Sequence, residues 1–315
     1  MKAKSAFVAA TMTILASSAW TADSVWTGAE STDWATAENW GNGHVPASDD
    51  ADGYDSPTFN KTDATRYTVD FGSTQYTVNY PVLKSGIDAA HTYTFTATGD
   101  GGLTSTSEFD IGRDPGSLKG GAVILDGGKY TFPSLWLGWY YGYGYLTLNE
   151  GATLTVNGDI GLGRDPGENA STAFAYGEIN INGGVFNQYS GEFMVGYSIN
   201  STSNVGGEGV VKQTAGTVNT RYLAIPKGSY CYGRYELSGG TVKSEREIEV
   251  GKADFGKGEL VISGGYMELG SGFEFHVCGD GHSNTGLVYV SGGALVNKDN
   301  WFCVGRSVQG ENNAS

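Results

Sequence analysis

From Glu108 onward the chain repeats one phrase of apolar and polar positions. A short apolar–x–apolar strand ending in Gly is followed by a polar loop, a second alternating strand closed by Gly-Gly, and a third brief strand. The first strands read Phe109-Asp110-Ile111-Gly112, Leu135-Trp136-Leu137-Gly138, Ile160-Gly161-Leu162-Gly163 and Phe193-Met194-Val195-Gly196. They continue as Leu223-Ala224-Ile225-Pro226, Ile248-Glu249-Val250-Gly251, Phe275-His276-Val277-Cys278-Gly279 and Phe302-Cys303-Val304-Gly305. Successive end positions lie 26, 25, 33, 30, 25, 28 and 26 residues apart. The extra position before Gly279 reads as a β-bulge. The two long units have room for insertions at 165–176 and 198–208, both rich in Ser, Asn and Gly.

Strict alternation is the mark of a strand with one buried face. Ile248 and Val250 point inward while Glu249 points out; Leu260 and Ile262, then Met267 and Leu269, take the inward places of the next two strands. A unit of this size cannot bury its apolar side alone, so neighbouring units must stack. The pattern therefore predicts an all-β chain folded as a right-handed, single-stranded parallel β-helix, with about 25 residues and three short strands per coil. Gly at the corners supplies positive φ without steric cost. Upstream, Tyr67–Phe71, Tyr76–Val78 and Tyr93–Thr96 also alternate and read as one or two degenerate first coils, giving about nine in all. A propeller needs four strands per ~40–45 residues, which this shorter unit does not supply.

Composition adds an address. Lys2 and Lys4 precede an apolar stretch from Ala6 to Leu15, and Ser17 and Ala19 occupy the −3 and −1 places of a cleavage site. Residues 1–19 thus read as a signal peptide, 20–64 as a Trp-rich cap region and 65–315 as coils, which places the mature protein outside the cell or on its surface. The apolar stretch is shorter than the ~20 residues that span a bilayer, and no longer one follows. Net charge is −15 over 315 residues, and losing Lys2 and Lys4 takes it to −17. Such a chain repels phosphate backbones, so nucleic acid is not an expected partner. Three cysteines, Cys231, Cys278 and Cys303, form no disulfide framework and have no zinc spacing. Cys278 and Cys303 lie in adjoining coils but differ in parity.

Trp26-Thr27-Gly28, Trp34, Ala37-Glu38-Asn39-Trp40, Val45-Pro46 and Asp49-Asp50-Ala51, followed by Gly-rich coils, form an arrangement that resembles a family of secreted β-helix proteins. That family occurs in planctomycete- and verrucomicrobium-like bacteria and is similar to autotransporter passenger domains. The resemblance implies location and architecture more than chemistry. Its members are usually longer and end in a sorting or membrane-embedded segment. Gly305–Ser315 stops inside a loop, so the expectation is a C-terminally truncated fragment that continues into further coils or an anchor.

Candidate chemistry is sparse. The nearest matches to polygalacturonase-like carboxylates are Asp49-Asp50 and Gly281-His282-Ser283, out of order and without an Arg-x-Lys, and no lyase-type calcium cluster with a basic neighbour stands out. Catalysis is not expected. His44, His91, His276 and His282 are scattered, and His276 reads as an outward, structural strand residue. Asp49, Asp50, Asp52 and Asp55 offer hard oxygen ligands to calcium, but they lack the glutamate of an EF-hand loop, and a solvated turn is the plainer reading. The best binding candidate is the aromatic cluster Trp136, Trp139, Tyr140, Tyr141, Tyr143 and Tyr145. Such rings stack on sugars or anchor a partner, or else cover one another between coils. Trp26, Trp34 and Trp40 read as the plug of the N-terminal end. The expected function is a structural or adhesive surface rod; the alternatives are a carbohydrate-binding surface protein and, last, a polysaccharide-degrading enzyme. A polysaccharide or cell-surface component is the expected partner.

Overall fold

The computed structural model describes residues 24–47, 56–61, 66–84, 91–114, 120–140, 142–165, 175–198, 206–279 and 283–306. It is a β-solenoid of about 8 turns, ~27 residues per turn, with 59% of the described residues in strands. Three parallel sheets of eleven, nine and nine strands run its length, and every complete coil gives one strand to each, the first sheet having one further strand at either end. A typical coil takes Leu135–Tyr140 into the first sheet, Tyr143–Leu148 into the second and Ala152–Val156 into the third. The next coil returns to the first sheet at Ile160–Asp165.

Register is kept residue for residue. Leu135 pairs with Phe109 on one side and Ile160 on the other, and the column continues through Phe193, Leu223, Ile248, Phe275 and Phe302. All but the last of these are buried in one continuous core. Burying each such side chain contributes about 1.5–3 kcal/mol, and none is covered until the next coil is in place. Among the described residues no helix is long and apolar enough to cross a membrane.

From Gly112 onward, the corner after every first strand but one is set by a left-handed residue. At Gly138 (φ +67°) an added Cβ would sit 1.9 Å from the Tyr176 carbonyl oxygen, so both backbone conformation and space demand glycine. Cys278 takes the same place with φ +54°. The expected bulge is absent: His276 pairs with Cys303, Val277 with Val304 and Gly279 with Arg306, without slippage. The sequence suggests Gly279 as the corner, but Cys278 occupies it and Gly279 is the residue after. At Pro226 a cis Ile225–Pro226 peptide replaces the glycine.

Trp26, Trp34 and Trp40 are buried at the N-terminal end. Trp40 meets Trp26 and Trp34 edge-on at 5.0 and 4.6 Å, and Trp34 lies 4.8 Å from Phe71 of the first coil. Buried Asn39 holds the loop in shape. Its Oδ1 accepts from the Glu30 and Ser31 amides, and its Nδ2 donates to the Asp33 carbonyl. The Trp34 amide donates to the Asp70 carbonyl, which extends the second sheet by one bridge. At the other end the inward residues Phe302 and Val304 are 52% and 69% exposed.

Two predictions follow from packing. Trp34→Ala should lower unfolding stability by about 3–5 kcal/mol, as large aromatic truncations in a core do. Gly138→Ala should cost roughly 4 kcal/mol or more. Gly72→Ala, equally left-handed (φ +56°) but with open space around it, should cost only about 1–2 kcal/mol. Equal losses for the two glycines in denaturant melts would refute the close-approach argument.

Candidate binding surface on the outer face of the coils

Alternation turns one residue of each first strand outward, and register stacks these into a column. It runs Asp110, Trp136, Gly161, Met194, Ala224, Glu249, His276, Cys303. Beyond the corner a second column runs Arg113, Trp139, Arg164, Tyr197, with Lys227 bridged to Tyr197. Outward here does not mean wet: Asp110, Met194, Ala224, Glu249 and His276 are all buried.

The aromatic cluster shows why. Trp136 is only 7% exposed and its indole lies over Gly161 of the next coil, where a Cβ would come within 2.5 Å of the ring. The Arg164 guanidinium sits 4.1 Å from the ring centres of both Trp136 and Trp139, and Arg113 covers Trp139 at 4.0 Å from the opposite neighbouring coil. Tyr197 stacks with Trp136 at 6.1 Å, and Trp136 Nε1 donates to Glu108 Oε2 at 3.0 Å. These are cation–π contacts, and they occupy the ring faces a sugar would use. Trp136 and Trp139 therefore come together as expected, but as rungs of an Arg–Trp ladder. Tyr143 lies apart on the second sheet, half-buried, with Tyr176 of the next coil as its ring neighbour, and Tyr145 meets the same Tyr176 ring. Tyr140 ends the Leu135–Tyr140 strand; Tyr141, His282 and the candidate calcium ligands Asp49, Asp50, Asp52 and Asp55 lie outside the described residues.

At the start of the first column a fully buried carboxyl is embedded in polar partners. Asp110 Oδ2 accepts from the Tyr80 hydroxyl and, at 2.9 Å, from the Arg113 guanidinium, while its Oδ1 has no partner. Burial pushes Asp110 up to about 6, and nearby Glu108 adds to this; the Tyr80 and Arg113 contacts pull the other way without prevailing. Burial and the adjacent carboxylate raise the Tyr80 hydroxyl as well. Farther along, Lys252 neutralises buried Glu249 with the same three-residue spacing. A hollow of about 200 Å³ opens there between Tyr222, Lys227, Glu249 and Lys252.

A larger groove, about 440 Å³, lies on the third sheet and its exit corner, lined by Gln188, Tyr189, Asn219, Lys243, Glu245 and Glu268. Gln188 is buried and fixed; its Oε1 accepts from Thr220 Oγ1 at 2.7 Å and from the Arg221 amide at 2.8 Å. Asn219 Nδ2 donates to Asn187 Oδ1 at 2.9 Å, one coil away. Tyr189 stands 63% exposed at the rim. Sequence reasoning passed over this groove; its signal is the Asn187-Gln188-Tyr189 run at a strand end, where polar residues sit among short alternating strands.

Comparisons with family models, with curated proteins and with solved structures find no match to this chain.

The embedded carboxyl makes a pH prediction. An acid whose folded value is about 6 against ~3.9 when unfolded takes up a proton on folding between those two pH values. Its contribution is most favourable below about pH 4 and is lost as pH rises through 6, by on the order of 3 kcal/mol. Asp110→Asn should remove that slope. Stability of wild type minus variant, measured by urea unfolding across this window, should fall with rising pH; a flat difference would refute it.

Proposed function

We propose that this protein is an extracellular or cell-surface structural rod with an adhesive role, of the passenger type, exported by residues 1–19. One observation carries the reading: the core is continuous from Trp26 to Val277, so the coils form a single long scaffold. The outer face supports it. Several of its carboxylates are tied to cations one coil away: Glu178 with Lys212, Glu259 with Arg234 and Glu268 with Lys298. Glu259 and Glu268 are held below the usual carboxylate range, chiefly by hydrogen bonds from Lys257 and Lys298 respectively. Carboxylates locked in this state reinforce a scaffold better than they shuttle protons. In an exporting bacterial host the full chain should be recovered outside the cytoplasm beginning at Trp20, and a chain lacking residues 1–19 should remain inside. An uncleaved cytoplasmic product from the full chain would contradict export.

The groove at Tyr189 favours a second reading, a carbohydrate-binding face on the same rod. Fixed amides and hydroxyls, a Lys/Glu pair and one exposed ring are the groups that recognise a sugar edge and stack on its face. Tyr189→Ala and Lys243→Ala should each weaken retention on a soluble-polysaccharide affinity gel by about tenfold, equivalent to ~1.4 kcal/mol. Unaltered migration across a broad polysaccharide panel would dismiss this reading.

A further inference from the structure

The outer column of the first sheet treats its buried polar groups by a rule, and one coil departs from it. Asp110 is neutralised by Arg113 and Glu249 by Lys252, each cation standing three residues after its acid, just past the corner. In the coil of Phe275–Gly279 the corresponding pair is His276 and Gly279, so the position that elsewhere supplies a cation has no side chain. His276 is 3% exposed, and its Nδ1 has no hydrogen-bond partner. A buried ring nitrogen left without a partner costs free energy and calls for an explanation.

Two potential metal ligands accompany it. Glu274 Oε2 lies 2.8 Å from His276 Nε2. Cys303 is the direct register partner of His276 in the next coil, a free thiol that is only half-buried. One ligand atom from each of Glu274, His276 and Cys303 falls within 4.8 Å of the other two. We propose that these three residues form a site for a borderline divalent transition-metal ion of the zinc class, with water as the fourth ligand. A carboxylate oxygen, an imidazole nitrogen and a thiolate are all ordinary zinc ligands, whereas calcium and magnesium prefer oxygen alone. Tetrahedral bond lengths of ~2.0–2.3 Å bring ligand atoms to about 3.5 Å, a closure of roughly 1 Å from the upper limit of the present spread. On binding, the Cys303 thiol gives its proton to solvent and its sulfur lone pair to the metal. The ion supplies the positive charge that Arg113 and Lys252 supply elsewhere, and it cross-links the last two described coils.

The site is distinct from the calcium candidates at Asp49–Asp55 and independent of the rod and glycan readings. Its test is Co(II) titration of the reduced, chelator-treated full chain, followed by displacement with Zn(II). The expected result is one equivalent of cobalt with a thiolate-to-metal charge-transfer band, lost on zinc addition, and a zinc-dependent rise in melting temperature. Cys303→Ser should abolish the band and weaken zinc binding by roughly 100-fold or more, since even outer partners of metal ligands cost 10–100-fold. Glu274→Gln should weaken binding with the band retained, and Cys278→Ser should change neither. Because Cys303 is partly exposed, Cys303→Ser should fold, which circular dichroism checks. Absence of the band in the wild-type chain, its survival in Cys303→Ser, or its loss in Cys278→Ser would overturn the assignment.

Discussion

In-register parallel stacking is the constraint on which everything else in this protein depends. A single coil exposes two faces of every inward side chain, and the strand edges above and below carry unpaired amides and carbonyls. Both deficits vanish together when the next coil arrives with the same residue class at the same place. That is why Phe109, Leu135, Ile160, Phe193, Leu223, Ile248 and Phe275 form one buried column. It is also why left-handed residues recur at the corner: drift by one residue would turn the whole column to the outer face. The cap obeys the same constraint from one end. Three indoles cover the first core layer, and a bridge from Asp33 to Asp70 occupies the adjacent sheet edge.

Stacking also organises the surface. Because residues at equivalent positions stand about one strand spacing apart (~4.8 Å), a charge or ring on one coil meets whatever the next coil carries at that place. The Arg113–Trp139–Arg164 ladder, the Arg234–Glu259 pair and the Asn187–Asn219 amide pair all arise in this way. An outward position can then be fully buried by its neighbours, which makes pairing obligatory there. Asp110 and Glu249 meet that demand with Arg113 and Lys252; His276 meets it only in part, through Glu274.

Much of the fold was legible because alternation and corner glycines are local, and one coil after another repeats them. The Trp cap could be read for a related reason: large apolar rings outside the repeat need a core to cover. Cys278 was misplaced because sequence favours the glycine beside it, whereas register fixes the corner one residue earlier. The outer face was legible in composition but not in burial. Alternation turns Trp136 outward, and only the missing side chain at Gly161, over which the ring lies, and the position of Arg164 reveal that its ring is covered. For the same reason His276 read as an outward, structural strand residue, and its proximity to Cys303 depends on register across 27 residues of chain.

The most direct test of this register is a distance. Lys129 and Tyr266 occupy one column of the third sheet, linked stepwise through Thr153, Val185, Thr217 and Thr241. Spin labels placed there on genetically encoded ketone side chains, so that the native cysteines stay intact, should report a single distribution by pulsed electron spin resonance. Five coil steps put its centre at about 24 Å. A broad distribution, or one centred several coil spacings away, would contradict in-register stacking and with it the account of both core and surface.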